Sequence, residues 1–153
     1  MLRSAITSTV SLLALAIANP LLTANAQRAG GEFFWCEAKG FTWMTDAAGN
    51  QPPGEEAEIR LMVEVDEPNG NLKFREPTEG DNWGPWSPWR PAIFDRDASG
   101  RWEGLELSEQ IMHTKTEFTI FRNEGLKFDF MRTQSTVLPK LLTIAEGDCS
   151  RYQ

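Results

Sequence analysis

Cys36 and Cys149 are the only cysteines in the 153-residue chain, and they stand near opposite ends of the stretch from residue 27 to residue 153. In an oxidising compartment two such cysteines most often pair. The alternative is two free thiols or a catalytic pair, although catalytic dithiols usually lie close together as C-x-x-C. A disulfide here would enclose more than about 100 residues and, on the chain-entropy account, contribute roughly 4–5 kcal/mol less any native strain. It would also hold the first and last elements of the domain within about 7 Å, Cα to Cα. Few folds satisfy that link together with the patterning between the cysteines.

The dominant period is two. Ile59, Leu61, Val63 and Val65 alternate with Arg60, Met62, Glu64 and Asp66, so the aliphatic residues share one face of a strand. Glu67-Pro68-Asn69-Gly70 supplies turn chemistry before Leu72 to Arg75, and the two runs read as a hairpin. A second hairpin turns at Asn123-Glu124-Gly125 between Phe118 to Arg122 and Leu126 to Arg132. There Leu126, Phe128 and Phe130 form one face and Lys127 and Asp129 the other. The first strand is expected from Phe33 to Thr45 with an interruption at Lys39-Gly40, the last from Leu141 to Ala145. Across Leu105 to Thr114 the spacing of Leu107, Ile111 and Met112 gives one helical face capped by Ser108, so at most one short helix is expected. The fold class is all-β and antiparallel. Joined at its ends by Cys36–Cys149, such a meander closes into a small barrel, which removes exposed edges. A two-sheet sandwich with neighbouring termini is the second reading.

Residues 1–26 carry the marks of a cleavable secretory signal. Arg3 supplies a charge, Ser11 to Ala18 is apolar, and Ala24-Asn25-Ala26 precedes Gln27. The apolar stretch is too short to span a bilayer; an anchor helix is the other reading. Residues 27–153 are then a single domain, secreted or periplasmic. The formal net charge of −7 becomes −8 once Arg3 is removed. That argues against nucleic acid, whose phosphates need a basic footprint, and against an anionic membrane surface. It suits a soluble monomer, or one that meets a basic partner protein.

Residues 83–91 read Trp-Gly-Pro, Trp-Ser-Pro, Trp-Arg-Pro. Proline at every third position fixes φ and excludes a regular helix or a central strand. Polyproline II, with three residues per turn, lines Trp83, Trp86 and Trp89 along one edge and Pro85, Pro88 and Pro91 along another. Either the indoles form an exposed strip that stacks sugar rings or a partner's side chains, or the segment is a strap laid across an open sheet face with its indoles filling the core. WGPWSPW resembles the tryptophan motif of thrombospondin type 1 repeats, over seven residues and without that family's six-cysteine framework. The resemblance implies arginines stacked between successive indoles, for which Arg60, Arg75, Arg122 and Arg132 are available.

Residues 95–106 resemble an EF-hand calcium loop. Asp95, Asp97 and Ser99 take loop positions 1, 3 and 5, Gly100 position 6, and Glu103 and Glu106 positions 9 and 12. A hard cation wants several oxygens, and alternate residues of a turn can offer them. Pro88 and Pro91 stand where the entering helix should be, and no second loop pairs with this one. The alternative is a β-hairpin turning at Asp97-Ala98-Ser99-Gly100, its acids favouring the turn and solubility.

His113 is the single histidine, which excludes a multi-histidine metal centre, and no G-x-S-x-G or phosphate-cradling glycine loop occurs. The expected function is therefore an exported binding or inhibitory module for a protein or carbohydrate ligand. Two alternatives stand beside it: a carboxylate-dependent enzyme on a glycan or similar polymer, and a calcium-stabilised structural protein of an envelope assembly. Mass spectrometry of exported protein should find Gln27 at the N-terminus and no alkylatable thiol. Two alkylatable cysteines in native protein would contradict the closure argument.

Overall fold

The computed structural model describes residues 31–79, 82–135 and 139–152; the expected signal segment lies outside them. Among the described residues nine antiparallel strands form one sheet: β1 (Glu32–Thr45), β2 (Glu55–Asp66), β3 (Asn71–Arg75), β4 (Arg90–Pro91), β5 (Ile93–Arg96), β6 (Trp102–Ile111), β7 (Thr114–Phe121), β8 (Lys127–Ser135) and β9 (Lys140–Arg151). Their order, β4-β3-β2-β1-β9-β8-β7-β6-β5, is a meander whose first and last strands pair at the centre of the sheet. The sheet curls into a nearly closed barrel, as the disulfide argument requires, and the two-sheet reading falls away.

Cys36 and Cys149 are direct cross-strand partners, bonded to each other, with Cα atoms 3.9 Å apart. The inner face around them is made of small residues. Ala38 opposes Gly147 and Gly40 opposes Ala145. A Cβ on Gly40 would penetrate the carbonyl of Ile144, and one on Gly147 the carbonyl of Glu37. Those glycines keep β1 and β9 unbroken where the sequence suggests interruptions. β1 runs straight through Lys39-Gly40, and β9 continues past Ala145 through Gly147 and Cys149. Close backbone approach, rather than chain breaking, explains both glycines.

The period-two residues fill the barrel. Phe34, Leu61, Val63, Val65, Leu72, Leu105, Leu107, Phe118, Ile120, Phe128 and Phe130 are all buried. Trp102 is fully buried at one end, edge-on to Phe34 at 5.8 Å and Phe94 at 6.3 Å. Its Nε1–H donates to Glu32, which also accepts from Arg122, whose guanidinium lies 4.0 Å from the Trp102 ring centroid. The expected helix over Leu105 to Thr114 is corrected: the segment is strand β6 followed by a tight turn at Met112-His113. Leu105 and Leu107, placed against Ile120 and Phe118, are buried in the barrel as alternate residues of a strand.

Where β4 meets β5 the barrel is not zipped. Only Ala92 separates these strands in sequence, and they do not pair. This seam is bridged by side chains. Phe74 of β3 packs edge-on against Phe118 of β7 at 5.7 Å, Arg90 pairs with Glu109 at 2.6 Å, Arg96 with Glu67 at 2.5 Å, and Arg132 forks onto Glu76. Gly147→Ala should destabilise the oxidised protein at or above the top of the overpacking range, about 3 kcal/mol, measured by urea unfolding. A change below about 0.5 kcal/mol would contradict the close β1–β9 approach.

Candidate functional site

The tryptophan strap runs alongside β3 and serves as its outer neighbour. Gly84 N–H donates to the Glu76 carbonyl (2.8 Å) and Ser87 N–H to the Phe74 carbonyl (2.8 Å), while Phe74 N–H returns to Ser87 Oγ (3.0 Å); Arg90 then pairs with Leu72. Three residues of strap thus advance for every two of β3. The middle residue of each W-x-P triplet meets β3, and the prolines, which have no N–H, need no partner.

That register stations the indoles on the outside of the barrel. Leu72 and Phe74 point inward, so Lys73 and Arg75 point outward. The Arg75 guanidinium lies 5.5 Å from the Trp83 ring centroid and 4.6 Å from Trp86; Lys73 Nζ lies 5.0 Å from Trp86 and 4.6 Å from Trp89. The result is a ladder: Trp83, Arg75, Trp86, Lys73, Trp89. Trp35 meets Trp83 edge-on at 5.0 Å and Phe33 meets Trp86 at 6.4 Å. Glu64 holds Lys73 at 2.7 Å, and Arg75 donates to the sulfur of Met62.

Neither the exposed strip nor the core-filling strap matches this arrangement. The indoles do not fill the barrel core, and Trp83 and Trp86 are half-buried under a layer of their own making. Only Trp89, 43% exposed, ends the ladder open. Of the four arginines named as stacking candidates, Arg75 is the one between indoles. Lys73 escaped sequence reasoning, although its alternation with Leu72 and Phe74 was the signal that placed it beside Arg75.

On the other side of the strap lies an open groove of about 740 Å³, between Pro85, Trp86 and Pro88 on one wall and the β6–β7 hairpin on the other. Ile111 is 51% and Met112 87% exposed there, and His113 stands on the rim. Five polar side chains of the groove are committed to each other. Arg132 binds Glu76 and Thr116 Oγ1 (3.2 Å), and Arg90 binds Glu109. No motif flagged this groove, because its residues come from five separate segments.

The five expected calcium ligands are not gathered. Asp97 and Ser99 meet in the β5–β6 turn, where Asp97 Oδ1 accepts from Ser99 N–H (2.8 Å), Ser99 Oγ (2.6 Å) and Arg101 N–H (3.0 Å). Those bonds, the Ser99 hydroxyl first, lower the Asp97 carboxyl below its ordinary pKa. Asp95 lies on β5 opposite Gly104, and Glu106 on β6 opposite Ile93. Glu103 is the residue the β-bulge adds between them, its carbonyl accepting from Arg122 N–H. No three of His, Cys, Asp or Glu form a metal cluster among the described residues. The arrangement is that of a hairpin turn: extended pairing from residue 102 onward carries Glu106 along a strand instead of folding it back over Asp97.

Comparison with protein-family models, with curated proteins and with solved structures gives no match for this chain.

Arg75→Gln removes the shared cation of two rungs and should lower stability by about 1–2 kcal/mol with red-shifted tryptophan emission; unchanged emission would contradict the ladder. The melting temperature should be the same in millimolar calcium and in chelator, and a rise in calcium that Asp97→Ala abolishes would contradict the turn assignment.

Proposed function

We propose that this protein is an exported binding module whose ligand surface is the seam groove, with Trp86 on its wall. One observation carries the reading: an open groove walled by a rigid proline-rich strap and faced by two large apolar side chains, Ile111 and Met112, left in solvent. Exposed apolar side chains gathered beside a concave surface mark interaction sites more often than scattered ones do. The Cys36–Cys149 bond supports an oxidising compartment, in keeping with the expected secretory signal. Among the described residues no helix is long and apolar enough to cross a membrane.

The enzyme reading has less behind it. Glu76 and Glu109 face the groove, but each is tied to an arginine.

The test uses the oxidised protein against two panels, short random peptides displayed on phage and immobilised polysaccharides. Ile111→Ser with Met112→Ser should weaken any ligand found by about tenfold or more while leaving stability within about 0.5 kcal/mol, since both side chains are exposed. Ligands indifferent to the double substitution would contradict the placement of the site.

A further inference from the structure

We infer that two copies of this protein pair face to face through the outer surface of β9, on the side of the barrel away from the seam. β9 stands in the middle of the strand order, with β4 and β5 at its ends. Cys36, Ala38, Phe128, Phe130, Ala145 and Cys149 are buried, so the residues that alternate with them on β1, β8 and β9 point outward. Three of these are apolar and form one cross-strand row: Phe41, Ile144 and Met131, which are 46%, 41% and 38% exposed. The next row adds Trp43, whose ring lies 5.9 Å from that of Phe41, and its cross-strand partner Leu142. Apolar side chains scattered singly over a surface are ordinary, but a contiguous group on three neighbouring strands marks an interaction surface.

Charge identifies what covers it. Along β9 the outward residues run Lys140, Leu142, Ile144, Glu146: a base, two apolar residues and an acid. Among the described residues neither Lys140 nor Glu146 has an ion-pair partner in its own chain. Such a stretch complements its own reverse. A two-fold axis running across the strands at the level of Thr143 lays β9 antiparallel on β9 of the second copy. Ile144 then meets Leu142 of the second copy and Glu146 meets Lys140, and symmetry makes each contact twice. The same rotation stacks Phe41 on Trp43 of the second copy, because these two share a row with Ile144 and Leu142. A two-fold axis parallel to the strands is the other way to join the same faces. It sets Glu146 on Glu146 and Lys140 on Lys140, and like charges across an interface oppose association. The pattern along β9 thus selects a second copy, and selects its direction.

Two convex barrels touching over three strands make a small interface, below about 1,200 Å² in total, which suits a reversible dimer. Pairing on this side leaves both seam grooves uncovered.

Sedimentation equilibrium of the oxidised, exported protein should show monomer and dimer exchanging, with a dissociation constant on the order of 10–100 μM. Lys140→Glu alone and Glu146→Lys alone should each weaken the dimer by about tenfold or more, since each brings like charges together at two places. An equimolar mixture of the two variants should recover the dimer, and so should one chain that carries both substitutions. Ile144→Ser should weaken it by about tenfold with little change in melting temperature, because the side chain is exposed. A protein that stays monomeric up to about 1 mM overturns the inference and leaves the patch to a different partner. A dimer that ignores the charge reversals, or that the mixture of variants does not recover, overturns it too. Should a charge variant fail to fold, Ile144→Ser decides alone: a dimer indifferent to it is not made through β9.

Discussion

The pairing of β1 with β9 is the constraint on which the rest of the molecule depends. It is covalent at Cys36–Cys149, and it is tightened by Ala38, Gly40, Ala145 and Gly147, which leave no side-chain bulk between the inner faces of the two strands. With first and last strands fused at the centre of the sheet, its remaining break lies at mid-chain, between β4 and β5. That break falls at Ala92. β4 and β5 run in the same direction there, so residues 90–96 pass from pairing with β3 to pairing with β6.

The strap answers a problem that the seam creates. β3 would otherwise end the sheet as a short bare edge, and bare edges invite association. A W-x-P segment covers it with the fewest unmet hydrogen bonds, because every third residue has no donor to satisfy. The indoles then need somewhere to lie. With the barrel interior already filled by Phe74, Phe118 and their neighbours, they take the outer surface, where Lys73 and Arg75 are spaced to separate them. Cation–π contacts at partly exposed positions contribute about 0.5–1 kcal/mol each, so the ladder is held by repetition and not by any single contact.

Much of this was legible in the sequence. Alternation over residues 59–65 and 128–130 gave strands and their buried faces, although Leu126 belongs to the turn, and Cys36 with Cys149 gave closure. The errors share a physical origin in tertiary context. Leu107, Ile111 and Met112 sit at helical spacing, but Leu105 and Leu107 find buried partners only in a sheet. Gly40 and Gly147 read as breaks because a glycine needed for close backbone approach is indistinguishable, in one sequence, from a glycine needed for a bend. The calcium register was a correct reading of spacing, but spacing alone does not bend a strand. At the candidate site the motif pointed to the strap and not to the groove beside it. Trp83, Trp86 and Trp89 mark the strap, while the groove beside it is built from Glu76, Arg90, Glu109 and Arg132, residues that only the closed barrel brings together.

Whether the barrel stays open along β6 is tested most directly by amide hydrogen exchange in the free, oxidised protein. Alternation along one strand is expected: Leu107 and Glu109 amides, bonded to β7, exchange slowly, while those of Ser108 and Gln110 exchange at rates near those of exposed loops. Slow exchange at all four positions would mean that the seam is closed by a partner strand within the molecule, and would contradict an open β6 edge.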